Sequence, residues 1–171
     1  DAGSTDGGPH KLGAGTAIVS RQACKKDLEM ILPAGVAARI PVIIGSAGGS
    51  GARPHVEWTR EIVEEILREH GLGGVKIAII WADIPQEVVA AKLRAGMCEP
   101  LGAAVPPLTP ERLQATGGIV AQMGHEPIVE ALRSGADIIL CGRAYDPSPF
   151  AAAAIHRGFD EALAYHLGKI L

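Results

Sequence analysis

The chain has no excess of basic residues: 16 lysines and arginines stand against 19 aspartates and glutamates, for a formal charge of −3. Nucleic-acid and lipid surfaces both need clustered Lys and Arg, so neither is an expected partner. No apolar run reaches the ~20 residues of a bilayer-spanning helix. The opening DAGSTDGGPH lacks both the basic and the apolar region of a secretory signal. Cysteines are few, scattered and odd in number (Cys24, Cys98, Cys141), and CxxC and HExxH are missing. A disulfide framework is therefore not expected, and a reducing, cytoplasmic compartment fits better.

What is present is an apolar chain of 171 residues with 47% hydrophobic content, enough for one α/β domain over residues 1–171. It opens without Met inside an Asp- and Gly-rich segment and closes at Leu171 inside a periodic pattern. The expectation is an internal piece of a longer chain.

Three short apolar runs read as buried strands: Ile40–Ile44, Val75–Trp81 and Ile138–Cys141. Each is followed by a polar loop and a helical pattern. Repeated β-loop-α units predict a three-layer α/β fold, with a mostly parallel sheet and flanking helices. An open sheet and a segment of a barrel are not distinguished by this pattern. Residues 1–21 read as a glycine-rich loop, with a short strand at Thr16–Ser20. Pro33 predicts a kink, or two short helices, within Cys24–Ala38. Pro54 predicts the start of a helix with Val56, Ile62, Val63, Ile66 and Leu67 on its apolar face. Glu64 and Arg68 stand one turn apart as a pair. A last helix, capped by Asp160, carries Leu163, Leu167 and Ile170 as its apolar face.

In parallel α/β sheets, ligands bind at the loops beyond the carboxyl ends of the strands. That rule selects Ser46–Gly51, Asp83 and Arg143–Asp146. The loop GSAGGSG, with Ser46, Gly48, Gly49 and Ser50, can form an anion nest before a helix, flanked by Arg53 and His55. It lacks the Walker ending and the GxGxxG fingerprint, which weighs against a nucleotide-binding module. Asp83 reads first as an N-cap, with Gln86 as capping-box partner, and second as a catalytic acid or base. Asp146–Pro147 reads as a cap and first helical residue. Arg143 is not needed for that cap and can hold a carboxylate or phosphate, or pair with Asp146 or Asp137. Tyr145 can cover such a site. His125, at a helix start, can act as a general base or bond to backbone. Asp6 is a further acid/base candidate, with Ser4 and Thr5 beside it as substrate contacts. His10 is a weaker candidate. Asp1 and Asp6, with Asp146, can supply oxygen ligands to a Mg²⁺ ion; whether the protein uses Mg²⁺ or no cofactor stays open.

Three stretches together, DAGSTDGGP, IIGSAGGSGARPHVEW and GADIILCGRAYDPSPFAAAAI, resemble the acyclic terpene utilisation family over nearly the whole chain. The resemblance implies a cytoplasmic metabolic protein acting on an organic acid, a CoA thioester or a related small molecule. Family members are usually longer. Tyr145 and Pro149 stand where the family pattern suggests small residues, a difference that bears on pocket width. The expected function is a metabolic enzyme using acid/base catalysis on a small anionic substrate, as lyase, hydratase or hydrolase. A non-catalytic binding subunit of a larger complex is the alternative. A homo-oligomer or a place in a larger assembly is expected.

Overall fold

The computed structural model describes residues 2–3 and 8–171. Its elements in order are α1 (Gly8–Ala14), α2 (Arg21–Ala38), β1 (Val42–Ile44), α3 (Arg53–Glu69), β2 (Ile77–Ile80), α4 (Gln86–Arg94), α5 (Pro110–Gln114), α6 (Glu126–Arg133), β3 (Ile138–Cys141), α7 (Ser148–His156) and α8 (Glu161–Ile170). The described chain is mostly helical, around a three-stranded parallel sheet in the order β1-β3-β2. Among the described residues, no helix is long and apolar enough to cross a membrane.

β3 is central because all four of its residues are apolar and can be buried on both faces. Its register sets Ile138 beside Val42 and Ile77. The strand's alternation then builds two cores. Ile138 and Leu140 join Leu28 and Leu32 of α2 and Val56, Ile62, Val63 and Ile66 of α3. Ile139 and Cys141 join Ile128, Val129 and Leu132 of α6 and Ala152 of α7. The result is three layers, with helices on both sides of the sheet. Burial pushes the Cys141 thiol up to about 12, so it behaves as an apolar side chain.

Each strand leads through a loop into a helix, but the units are unequal and form no clear repeat. The helix after β1 has 17 residues and six buried positions, whereas the helix after β2 has 9 residues and none. The parallel sheet with flanking helices matches the expectation; the regular repetition is not seen.

Several local expectations are corrected. Residues 8–14 form a helix, and no strand occurs at Thr16–Ser20, where Ser20 instead caps α2 by accepting from the Ala23 N–H. α2 runs unbroken through Pro33. Glu64 pairs with Arg60 on the preceding turn. α8 turns the other way from its predicted face. Ala164 and Gly168 are buried, and Leu163, Leu167 and Ile170 are exposed. The small residues let α8 lie close against the α7 start, with Gly168 against Pro147.

Candidate functional site at the sheet rim

The loops beyond β1, β2 and β3 meet on one rim, as the parallel sheet requires. Hydrogen bonds between loops fix them there. Ala47 N–H donates to the Cys141 carbonyl and Arg143 N–H to the Gly51 carbonyl. Residues 119–123 run alongside: Met123 N–H donates to the Arg143 carbonyl, and Tyr145 N–H to the Met123 carbonyl.

Arg143 is the central charge. It is 8% exposed, and its Nη2 is shielded from solvent without a hydrogen-bond partner among the described residues. The nearest acid, Asp146, holds its Oδ1 3.7 Å away, outside hydrogen-bond range. A buried guanidinium with an unused donor is costly unless something binds it. Arg143 also lines a cleft of about 350 Å³ with Gly8, Pro9, Leu12, Ser50, Val120 and Gln122. That lining offers one cation, two neutral polar side chains and three apolar ones. It suits a small molecule with one anionic end and an apolar body.

The other expected residues take varied positions. Ser46 is buried, and its hydroxyl is spent on Ala144, donating to that residue's carbonyl and accepting from its N–H. Ser50 lines the cleft. Gly48 and Gly49 lie so close to His55 and Ile18 that a side chain on either would overlap them. The amides of Ala47, Gly49 and Gly51 all donate to carbonyls within the fold. The loop therefore offers fewer free N–H groups than an open anion nest.

Asp83 does not cap the helix that follows it. α4 starts at Gln86, with Pro85 in the cap position and no side-chain cap, and Asp83 Oδ1 accepts from the N–H of Arg53, the first residue of α3, at 3.1 Å. Gln86 donates to the Thr116 carbonyl. Arg53 itself lies over the Trp81 ring, 4.0 Å from its centroid. Asp146–Pro147 is not a cap and first-turn pair either. α7 begins at Ser148, with Pro147 in the cap position and Pro149 in its first turn. Asp146 is exposed and faces Arg143.

His125 occupies the cap position of α6 without capping it. Its Nδ1 lies 3.0 Å from the Tyr165 hydroxyl, which donates when Nδ1 carries no proton. Tyr165 carries no site signal in the sequence, being a single aromatic inside a helical pattern. Tyr145, 41% exposed, stacks on Tyr165, and the Lys169 ammonium lies over its ring, 5.8 Å from the centroid. His125, Asp83 and Asp146 are not among the residues lining the Arg143 cleft. His10 is exposed on α1. His55, named only as a flank of the glycine loop, is 1% exposed. Its signal was in the sequence, since it belongs with Val56, Thr59, Ile62 and Val63 on the buried face of α3.

Asp1, Ser4, Thr5 and Asp6 lie outside the described residues. Among the described residues, no group of three or more His, Cys, Asp or Glu is placed to hold a metal ion.

The family model described as acyclic terpene utilisation family protein AtuA matches residues 20–166. Comparison with curated proteins and with solved structures gives no match.

Proposed function

The chain belongs to the acyclic terpene utilisation family, and from that premise we propose a metabolic enzyme that holds the anionic end of a small organic acid, or of the acyl part of a CoA thioester, on Arg143. The observation that carries this reading is the buried Nη2 of Arg143, unpartnered among the described residues, on a residue lining a cleft of about 350 Å³. One guanidinium, partly offset by Asp146, suits a monoanion better than a multiply charged phosphate chain. The cleft has room for the acid or acyl part; a CoA body would lie outside it.

Asp146 is the described acid nearest to Arg143, so it is our choice for proton transfer in a lyase, hydratase or hydrolase step. Asp6 and His125 stay as further acid/base candidates. Mg²⁺ at Asp1 and Asp6 belongs to the same proposal. So do a cytoplasmic location and assembly with further subunits. A binding subunit without chemistry is the second reading. It is favoured by the engagement of Asp83 with the α3 N-terminus and of His125 with Tyr165. The nucleotide-binding reading has little left, because the glycine loop uses its amides internally.

The test is NMR titration with butyrate, inorganic phosphate as comparison, on the wild type and on Arg143→Gln. Butyrate is expected to bind, with affinity at least tenfold weaker in the variant and with little response to phosphate. Equal butyrate affinity in both proteins overturns the reading. Hydration of crotonyl-CoA that is lost in Asp146→Asn supports the enzyme; butyrate binding without turnover supports the binding subunit.

A further inference from the structure

α1 roofs the Arg143 cleft, supplying Gly8, Pro9 and Leu12 to its lining. It is weakly built into the fold, with none of its residues buried. Its backbone passes Gly117 and Gly118 on one side, and Gly15, just past its end, touches Pro54. Gly15 has φ +64, the left-handed conformation that ends a helix and that other residues adopt poorly.

Among the described residues, the hydrogen bonds joining residues 8–19 to the rest of the chain run through one atom, Nε2 of His55. It lies 3.2 Å from the Lys11 carbonyl and 3.2 Å from the Thr16 carbonyl. Two acceptors facing one ring nitrogen fix the tautomer: Nε2 carries the hydrogen and donates to them. Nδ1 is then a bare acceptor, and it is buried without a partner. His55 is rooted on the buried face of α3, where the Thr59 hydroxyl donates to its carbonyl at 2.9 Å. Among the described residues, a helix with six buried positions thus holds one with none by a hydrogen bond to the Lys11 carbonyl.

We propose that α1 opens and closes as a unit over the Arg143 cleft, and that His55 is the positioning residue that latches it shut. Ligand entry then requires Nε2 to release both carbonyls, and a bound molecule touching Pro9 and Leu12 favours the closed state. That consequence rests on the Arg143 cleft being the ligand site; the latch itself is read from the free protein.

The experiment is hydrogen–deuterium exchange on the unliganded protein, following amides of residues 8–19 against those of β3. His55→Leu removes the donor and is expected to speed exchange in residues 8–19 at least tenfold, with β3 unchanged. His55→Gln offers an N–H near the Nε2 position and is expected to restore most of the protection. Equal exchange in wild type and His55→Leu, or no rescue by His55→Gln, overturns the latch. Should His55→Leu not fold, a disulfide made by Gly13→Cys with Gly117→Cys decides the matter. Closing it is expected to slow exchange in residues 8–19 at least tenfold relative to the reduced form, and equal rates would mean that no opening occurs. None of these readouts uses butyrate, so loss of the Arg143 reading and loss of the latch are separately visible.

Discussion

Gly51 and Arg143 meet backbone to backbone: the Arg143 N–H donates to the Gly51 carbonyl at 3.1 Å, and a side chain on Gly51 would overlap the Arg143 backbone itself. Gly51 also has φ +69. Both facts forbid a Cβ there, one by contact and one by conformation. Gly51→Ala is expected to cost about 3 kcal/mol or more, combining left-handed strain with a clash that backbone atoms cannot relieve. Urea unfolding measures the cost. Butyrate affinity should fall with it, because displacing Gly51 displaces Arg143. A near-wild-type midpoint would mean that the two loops are not welded.

Ser46 ties the same two loops by a side chain. Its hydroxyl serves both the N–H and the carbonyl of Ala144 in a buried setting, while its own φ of 48 is unfavourable for any residue but glycine. Ser46→Ala keeps the strain and orphans two buried groups, at an expected cost of about 2–3 kcal/mol. Ser46→Gly orphans the same groups but relieves about 1 kcal/mol of strain. The order of unfolding midpoints is therefore wild type, then glycine, then alanine. The reverse order of the two variants would show that packing of the Cβ outweighs the strain it carries.

Local chemistry explains what was readable beforehand. Ile138–Cys141 is an apolar run bounded by Gly135 and Gly142, and it is a strand with those bounds. Asp160 was an expected helix start, and it accepts a hydrogen bond from the Leu163 N–H three residues on. Asp83 stands where a local cap is favourable, but its carboxylate accepts from Arg53 instead, and a carboxylate satisfied over 30 residues of chain leaves no short-range pattern. Asp146 faces Arg143 three residues before it, a pairing the sequence offers beside the cap, while Pro147 takes the cap position. α8 failed because its apolar stripe and its small-residue stripe are both periodic, and only the position of Pro147 decides which one faces in. For the site, the rim was legible from strand order. The clamp at Ser46, the roof at α1 and the His125–Tyr165 pair arise only from tertiary placement.

Glu65 joins α2 to α3 by accepting from Arg21 and Lys25, and Lys25 also pairs with Glu69. The hydrogen bond from Arg21, then that from Lys25, lowers the Glu65 carboxyl from an ordinary 4.5 to about 2. A carboxyl with a depressed folded pKa contributes stability that is full above its unfolded value and disappears as pH falls through the folded one. The window is therefore from about 4.5 down to about 2. Melting temperature should fall across it in the wild type, and Glu65→Gln should flatten that limb. The pair is solvent-exposed, so the effect is small and shrinks further in 1 M salt. An acid limb unchanged by the substitution would place the titration elsewhere.

Arg143 separates a ligand role from a structural one by the sign of a stability change. If its task were to hold the fold through Asp146, replacing it would leave an exposed carboxylate unpaired and cost little or nothing on that side. The larger loss would come from any hydrogen bonds the guanidinium made within the fold. At Nη2 there are none among the described residues, and the carboxylate stands 3.7 Å away. A buried cation with that little compensation is itself a burden on the free protein. Arg143→Gln is therefore expected to leave the unfolding free energy unchanged or to raise it by about 1 kcal/mol, while butyrate affinity falls at least tenfold. Arg143→Lys keeps the charge but not the planar fork, and should recover only part of the affinity. Chemical denaturation and NMR titration on the same three proteins check both halves. A fall in stability of about 2 kcal/mol or more in Arg143→Gln would make the arginine part of the scaffold and remove the reason for placing a ligand beside it.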